Sequence, residues 1–172
     1  MLKILRQGAS APEAVIPGKG WTLSADAVWI DLLNPTREEE LAVEKAIGVQ
    51  VPTHDEMSEI ETSSRLYQEN GATFMTAAVL THATTDFPLL APVTFVLVGE
   101  RLVTVRYAEP SAFAAFLAQF ERQPRELGGG EAFLELLDAI VDRVADILEA
   151  VQVEVEDASQ GVFRQGRKGG FR

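Results

Sequence analysis

The hydrophobic positions of the chain change their spacing at three consecutive glycines, residues 128–130. Beyond them, apolar residues recur every three to four positions as far as Val155, which is the spacing of one face of an amphipathic helix. The pattern predicts a helix from residue 131 to about residue 160, roughly 40 Å long at about 1.5 Å per residue. Its apolar face has two rows: Phe133, Leu137, Ile140, Val144, Ile147 and Val151, and beside them Leu134, Val141, Leu148 and Val155.

Before the glycines, strand-sized apolar segments alternate with helix-sized ones. This alternation is typical of an α/β fold. It predicts a mixed β-sheet sandwiched between helices (α/β/α) over residues 1–125, followed by a helical arm over residues 126–172. The strands are predicted at Leu2–Arg6, Trp21–Leu23 and Val28–Leu33, and in two hairpins, Arg65–Glu69 with Thr73–Thr81 and Val93–Val98 with Leu102–Tyr107. Asn70-Gly71, between the strands of the first hairpin, predicts a two-residue turn.

Two capping boxes mark the starts of helices. In a capping box, a threonine caps the first turn and a glutamate three residues later bonds back to it. Thr36 with Glu39 begins one helix, and Thr53 with Glu56 begins a second. The second helix is short and acidic, and it is predicted to end at about residue 61.

The charge of the chain is strongly negative. Its 172 residues carry a formal net charge of −11 and include no cysteine. The predicted arm helix holds most of this excess, because nine carboxylates stand against Arg143 between residues 131 and 157, a net of −8. Nucleic-acid binding needs clustered lysine and arginine, so the composition argues against it and favours cations as partners. No segment resembles a signal peptide or a membrane span, and the chain by itself is expected to be soluble.

Catalytic motifs are missing from the sequence. Two histidines and no cysteine are present, with no Gly-x-Ser-x-Gly, no glycine-rich phosphate loop and no His-Glu-x-x-His. These absences remove the residue sets of nucleophilic, phosphoryl-transfer and zinc-hydrolase chemistry. The chain is therefore not expected to be an enzyme.

Two interpretations fit the acidic residues. Glu56 is explained by its capping box, and a row of carboxylates on a helix is usually a solvated face. Against this, Asp138, Asp142 and Asp146 recur every four residues, where each pair of like charges costs about a few tenths of a kcal/mol. A hard cation such as Mg²⁺ or Ca²⁺, which takes oxygen ligands, would relieve that repulsion. Both interpretations stay open at this level.

Five short segments follow one another in a distinctive order and spacing. They are Trp29-Ile30-Asp31-Leu32 with Asn34-Pro35-Thr36, then Glu56-Met57-Ser58-Glu59-Ile60-Glu61-Thr62-Ser63-Ser64-Arg65, Val93-Thr94-Phe95, Leu102-Val103-Thr104-Val105-Arg106, and Leu136-Leu137-Asp138-Ala139-Ile140-Val141-Asp142. Together they cover nearly the whole chain and resemble the N-terminal cytoplasmic part of CorA-type magnesium and cobalt transporters.

This resemblance implies a place in a larger assembly. It implies a homopentameric, funnel-shaped channel whose α/β/α cytoplasmic domain is followed by helical arms, a stalk helix and two membrane spans. The present sequence contains no stalk, no span and no Gly-Met-Asn pore motif, so it would be a regulatory domain without its pore. In the full-length protein it would lie at the cytoplasmic face of the inner (plasma) membrane, which only the C-terminal spans would enter.

The resemblance also implies divalent-cation sites between neighbouring subunits. Such sites use carboxylates on a short helix of the α/β domain, on the first arm helix and on the stalk. Glu59 and Asp138 match the first two positions, whereas an ungapped alignment selects Glu56 and Asp55 in place of Glu59. Asp142, one turn beyond Asp138, completes the candidate set. The better-studied branch of the family commonly has aspartate where this chain has glutamate.

The implied mechanism is negative feedback by Mg²⁺, and the resemblance also implies Mg²⁺ and Co²⁺ as cargo. Ions that bridge acidic faces of adjacent subunits would hold the funnel closed, and their loss would let the subunits loosen. An alternative from a different class is a soluble oligomeric scaffold or binding module that uses the acidic helix as an interaction arm without metal. A homologue that handles zinc or another metal is a third option.

Overall fold

The structure is a computed structural model that describes residues 1–59, 65–81, 89–123 and 125–168, with the backbone alone for Glu59 and residues 161–168. These residues form seven strands and four helices. The strands are β1 Leu2–Arg6, β2 Glu13–Val15, β3 Ala27–Leu33, β4 Leu66–Glu69, β5 Ala72–Thr81, β6 Leu89–Val98 and β7 Arg101–Arg106. The helices are α1 Arg37–Ile47, α2 His54–Glu59, α3 Ser111–Arg122 and α4 Gly129–Lys168.

A single mixed sheet forms the centre of the molecule, in the order β2-β1-β3-β7-β6-β5-β4. Only β3 and β7 are parallel, with Ile30 level with Val103, and every other described neighbour is antiparallel. Parallel neighbours cannot be joined by a tight turn. The chain therefore passes through α1, α2 and three further strands between β3 and β7. All seven residues of β3 are buried, because helices cover both faces of the sheet there.

Helices α1 and α2 cover one face of the sheet. Val43 of α1 and Met57 of α2 are buried there against strand residues such as Ile30 and Val103. We call this side of the sheet the α1–α2 face. Burying an aliphatic side chain of this kind contributes about 1.5–3 kcal/mol, so the short α2 is held by packing as well as by its cap.

Helices α3 and α4 cover the opposite face, which we call the α3–α4 face. Here aromatic side chains from α3 and the first turns of α4 pack on the sheet, so the predicted α/β/α layering is confirmed. The largest members of this cluster are Trp29, Phe95, Phe113, Phe116, Phe120 and Leu136.

The helix cap and the hairpin turn that the sequence predicts are both confirmed. Thr36 caps α1 with the predicted reciprocal bonds, and Gly48 ends the helix in the left-handed region at φ 80°. Asn70 and Gly71 have φ of 49° and 78°, as a hairpin turn of the predicted kind requires.

One predicted strand is wrong. Residues 21–23 form no strand, and Trp21 and Leu23 instead lie half-buried against the α1–α2 face. The sheet edge is formed by β2, in which Val15 is level with Leu2 of β1. The three residues of β2 are exposed or half-buried, so they have no alternating pattern by which the sequence could identify them.

Helix α4 is held to the sheet at its first residue. The N–H of Gly129 donates to the carbonyl oxygen of Glu100 at 3.0 Å. A Cβ at Gly129 would lie 2.4 Å from the carbonyl carbon of Arg101 and from the nitrogen of Leu102. Only glycine lets the helix approach β7 so closely.

The remainder of α4 leaves the body of the molecule. The helix has 40 residues, which makes it roughly 60 Å long at about 1.5 Å per residue. Its first turns share the core, whereas nearly all residues from Val144 to Gln160 are exposed. The predicted arm helix is confirmed and continues to Lys168, and the division between residues 125 and 126 stays a prediction. Within the described residues no helix, α4 included, is both long and apolar enough to cross a membrane.

Candidate metal site

Glu56 lies in the first turn of α2, and its carboxylate takes part in the capping of that helix. Its Oε2 accepts hydrogen bonds from the backbone N–H of Thr53 at 2.8 Å and from the Thr53 hydroxyl at 2.9 Å. The N–H of Glu56 in turn donates to Thr53 Oγ1 at 3.4 Å. Among the described residues, Oε1 accepts no hydrogen bond. One carboxylate oxygen thus serves the fold, and the other has no hydrogen-bond donor among the described residues.

The surroundings of Glu56 keep it ionised at neutral pH. The backbone N–H and the hydroxyl of Thr53 lower the pKa of Glu56 below its ordinary value, burial opposes them, and Arg37 lowers the pKa further. An ionised carboxylate with a free oxygen is a suitable ligand for a hard divalent cation. The cap therefore does not exclude a role in metal binding.

The other two candidates on α2 are less constrained. The side chain of Asp55 is 94% exposed, and its Oδ1 lies 3.7 Å from His54 Nδ1. Glu59 is the last residue of α2, and its side chain lies outside the described residues. Asp55 and Glu56 are therefore the candidates that the structure presents on this helix.

Asp138 and Asp142 lie one turn apart on α4, and both are exposed. Within the described part of the chain, neither forms a salt bridge. Like charges at this spacing repel each other. These two aspartates are thus the uncompensated centre of the carboxylate row.

The ends of the same row are partly neutralised by arginines. Arg125 forms a two-pronged ion pair with Glu135, with Nε 3.0 Å from Oε1. Farther along, Arg143 Nη1 lies 3.8 Å from Asp146 Oδ2. The arginines therefore relieve part of the like-charge crowding at Glu135 and Asp146, and leave Asp138 and Asp142 without such a partner among the described residues.

The candidates on α2 and on α4 lie on opposite faces of the sheet. Met57, next to Glu56, is buried in the α1–α2 face, whereas Leu136, two residues before Asp138, is buried in the α3–α4 face. No group of three or more acidic or histidine side chains comes together as a metal site in the described portion of the chain. One copy of the chain therefore cannot use both helices to hold the same ion.

A buried polar network between β3 and β7 was missed by the sequence analysis. Arg106 Nε and Nη2 donate to Asp31 Oδ1 and Oδ2 at 2.9 and 2.7 Å. The Thr104 hydroxyl donates to Asp31 Oδ1 at 2.7 Å, and Trp29 Nε1 donates to Thr104 Oγ1 at 2.9 Å. An aspartate inside an otherwise apolar strand was the available signal. The segments that begin at Trp29 and at Leu102, two of the five that carry the resemblance, thus have a structural explanation that does not involve metal.

Comparison with known proteins identifies similar sequences. A model of the family described as CorA-like Mg²⁺ transporter protein matches residues 24–172. The magnesium transport protein CorA of Pasteurella multocida (strain Pm70) is 28% identical over 144 residues, 83% of this chain and 45% of that protein. The protein of the same name from Escherichia coli (strain K12) is 28% identical over 145 residues, 84% of this chain and 46% of that protein. The chain thus spans less than half the length of these curated relatives.

Solved structures with the same fold are also found. The soluble domain of CorA from Methanocaldococcus jannaschii matches with a TM-score of 0.70 at 14% identity, covering 95% of this chain and 65% of that chain. The full-length CmaX protein matches with a TM-score of 0.67 at 14% identity, covering 92% of this chain and 50% of that chain. At this identity the matches establish the fold, a mixed sheet between helices with a long helix after it.

Proposed function

The chain belongs to the CorA-like Mg²⁺ transporter family, and from this premise we propose that it is the cytoplasmic regulatory domain of a divalent-cation transporter that senses Mg²⁺ between neighbouring subunits. The family consists of transport proteins rather than enzymes. In the full-length protein the domain lies at the cytoplasmic face of the inner membrane, and the subunits form a homopentamer. The cargo is Mg²⁺, with Co²⁺ as a second cargo.

The observation that supports this proposal is the placement of the exposed carboxylates. Asp55 and Glu56 lie on the α1–α2 face, and Asp138 and Asp142 lie on α4 at the other face. A site that uses both sets needs α2 of one subunit and α4 of the next. In a ring of identical subunits, opposite faces of neighbouring copies meet in this way.

The chemistry of the four side chains fits a hard divalent cation. All four are carboxylates, with no cysteine in the chain. Oxygen donors select Mg²⁺ or Ca²⁺ over softer metals. Mg²⁺ would supply the positive charge that lets the acidic faces of two subunits approach each other. Glu56 would contribute through Oε1, because Oε2 is held by the cap.

The regulatory consequence follows from repulsion between the same side chains. When Mg²⁺ is scarce, the carboxylates of α2 and α4 repel across the subunit contact and the contact loosens. Because the carboxylates bind the ion only where the faces are close, ligand binding favours the close state. Closing of the pore at high Mg²⁺ thus acts as negative feedback on the uptake of Mg²⁺.

The test compares Mg²⁺ with monovalent salt. Millimolar MgCl₂ should raise the melting temperature or promote association of the chain more than NaCl of equal ionic strength. A bound ion at about ten times its Kd stabilises by about 1.4 kcal/mol, which for a chain of this size raises Tm by about 3–6 °C. An equal response to both salts, measured also for the full-length protein, would contradict the proposal.

Matched variants locate the effect. Asp138→Asn and Glu59→Gln should each remove part of the Mg²⁺-specific response without weakening the metal-free protein, because neutralising one of a set of like charges reduces repulsion. Glu56→Gln tests the alternative ligand on α2. Asp157→Asn, a neutralisation farther along α4, is the control and should keep the full response. If the site variants keep the response as well, the acidic arm has no sensing role and the scaffold function remains.

A further inference from the structure

A surface cavity of about 480 Å³ lies beside the candidate carboxylate Glu56. Its walls come from α1, α2, the loop between these helices and β4. Arg37 of α1 and Glu56 of α2 both line it, together with Glu44, Thr53 and Tyr67. A positive side chain and a candidate metal ligand therefore share one cavity, and the positive charge would act on any ion that Glu56 binds.

The guanidinium of Arg37 is held in place although its side chain is 59% exposed. Its Nη1 lies 2.9 Å from Glu40 Oε2 and 3.9 Å from Glu44 Oε1. Glu40 also accepts a hydrogen bond from the hydroxyl of Tyr107 at 3.1 Å, and Glu44 accepts one from the N–H of Val51 at 3.1 Å. Because both carboxylates are fixed by other parts of the fold, they fix the position of the arginine.

Arg37 acts on Glu56 across the cavity and not through a direct ion pair. Within the described part of the chain, its ion pairs are with Glu40 and Glu44. Thr53 has the largest effect in lowering the pKa of Glu56, and the charge of Arg37 lowers that pKa in addition. The arginine thus disfavours the binding of a proton to Glu56. A divalent cation carries twice the charge of a proton, so the same repulsion acts on it more strongly.

We infer that Arg37 sets the Mg²⁺ affinity of the site at Glu56 by placing a fixed positive charge beside the ion. The inference rests on the proposed function, because it concerns an ion that Glu56 would bind. A guanidinium remains charged at every pH at which the protein is folded, so its repulsion is always present. The site therefore fills at a higher Mg²⁺ concentration than its carboxylates alone would require.

A weakened affinity has a regulatory consequence. A sensor responds to a change in concentration only near its dissociation constant, because the site is empty far below that value and full far above it. The affinity of a cation site depends on the number and sign of the charges around it. Arg37 thus moves the responsive range of the site upwards, and it does so without occupying the position of the ion.

Substitution of Arg37 tests the inference. Arg37→Gln removes the charge and keeps a side chain that can donate to Glu40. In MgCl₂ titrations of the chain followed by melting temperature at low salt, the Mg²⁺ midpoint should fall about three- to tenfold relative to the parent chain. Arg37→Lys keeps the charge, and its midpoint should stay within about twofold of the parent value. Each midpoint is taken from the rise above the metal-free melting temperature of the same variant, so a loss of stability alone does not move it.

Lys45→Gln is the matched control, because it removes a positive charge from the last turn of the same helix. Lys45 lies about 12 Å from Arg37 along α1, at about 1.5 Å per residue. Both substitutions change the net charge of the chain equally. The Mg²⁺ midpoint of Lys45→Gln should stay within about twofold of the parent value. Equal shifts in Arg37→Gln and Lys45→Gln would show a general effect of charge and overturn the inference.

The dependence on salt provides a second measurement. Screening becomes stronger as NaCl is raised, with a Debye length of about 30 Å at 0.01 M and about 8 Å at 0.15 M. The difference in midpoint between Arg37→Gln and the parent chain should therefore shrink with NaCl, and a difference that does not change would overturn the inference. If the parent chain shows no Mg²⁺-specific response, the proposed function fails and the inference fails with it. If the parent chain responds and Arg37→Gln has the same midpoint, the inference alone is overturned.

Discussion

Arg106 and Asp31 form a two-pronged ion pair in the interior of the sheet, with their side chains only 6% and 4% exposed. The pair joins the two central parallel strands. The Arg106 guanidinium also lies 4.4 Å from the centre of the Phe113 ring and donates to the carbonyl oxygen of Ala108 at 3.1 Å. A single side chain thus links the sheet to the start of α3.

Removal of one partner from this pair should be strongly destabilising. Asp31→Ala leaves the Arg106 charge buried without its counter-ion, which costs about 3–5 kcal/mol. Urea unfolding measures the loss. Glu13→Ala is the control, because it removes an exposed ion pair: the side chain of Glu13 is 67% exposed and that of its partner Arg6 is 34% exposed. This variant should lose no more than about 1 kcal/mol of stability. Similar losses in the two variants would contradict the assigned role.

Gly129→Ala should disturb the docking of α4 against β7. The new Cβ would lie 2.4 Å from backbone atoms of Arg101 and Leu102, which cannot move aside as a side chain can. A forced shift of this kind costs about 1–3 kcal/mol. Gly130→Ala is the matched control, since nothing lies within 4 Å of a Cβ there, and in a helix it should be neutral or stabilising by up to about 1 kcal/mol. Thermal unfolding of both variants distinguishes them.

Thr53→Ala should change the titration of Glu56. The hydrogen bonds from Thr53 lower the pKa of Glu56, so they stabilise the folded chain above the ordinary pKa, and this contribution is lost as the pH falls through the lowered pKa. The variant keeps the bond from the backbone N–H and removes the bond from the hydroxyl. We therefore expect NMR titration to find a higher pKa for Glu56 in the variant, together with a loss of about 1 kcal/mol at neutral pH from the missing cap. Thr36→Ala removes the other cap and should leave the titration of Glu56 unchanged.

The two tyrosines of the chain should ionise at different pH. Burial and the neighbouring Glu40 carboxylate, which accepts a hydrogen bond from the phenol at 3.1 Å, raise the pKa of Tyr107 to about 12 from 10.0. The neutral phenol therefore stabilises the fold below pH 10, and this contribution is lost as the pH rises through about 12. Absorbance titration should show a late step that Tyr107→Phe removes. A late step that survives in this variant would have to come from Tyr67 and would contradict the assignment.

The features that the sequence predicted correctly depend on neighbouring residues. Thr36 with Glu39, and Asn70 with Gly71, act within four residues, so their geometry follows from local chemistry. The apolar face of α4 is likewise a periodic local signal. Strand β2 gave no such signal, because its three residues have no alternating pattern of burial and are positioned by pairing with β1.

The candidate site was less predictable, because it depends on contacts between distant residues. The sequence placed five carboxylates on two helices, but the fold packs those helices against opposite faces of the sheet. The ion pair between Arg125 and Glu135 depends on the path of the chain before α4, and it removes one carboxylate from the repelling row. The buried pair of Asp31 and Arg106 spans 75 positions.

The close approach of Gly129 to β7 makes α4 a lever whose first turns are anchored to the sheet and whose remaining described residues project from the body. Arg143 donates a hydrogen bond to Ser111 at the start of α3, and from Arg143 to Lys168 the helix extends about 38 Å, so a tilt of about 5° at the anchored end moves residue 168 by about 3 Å. A displacement of a few tenths of an ångström among the side chains around Leu136 is thereby magnified several-fold. A change in the packing of the α/β body thus displaces residues of α4 at a distance comparable with the thickness of a membrane.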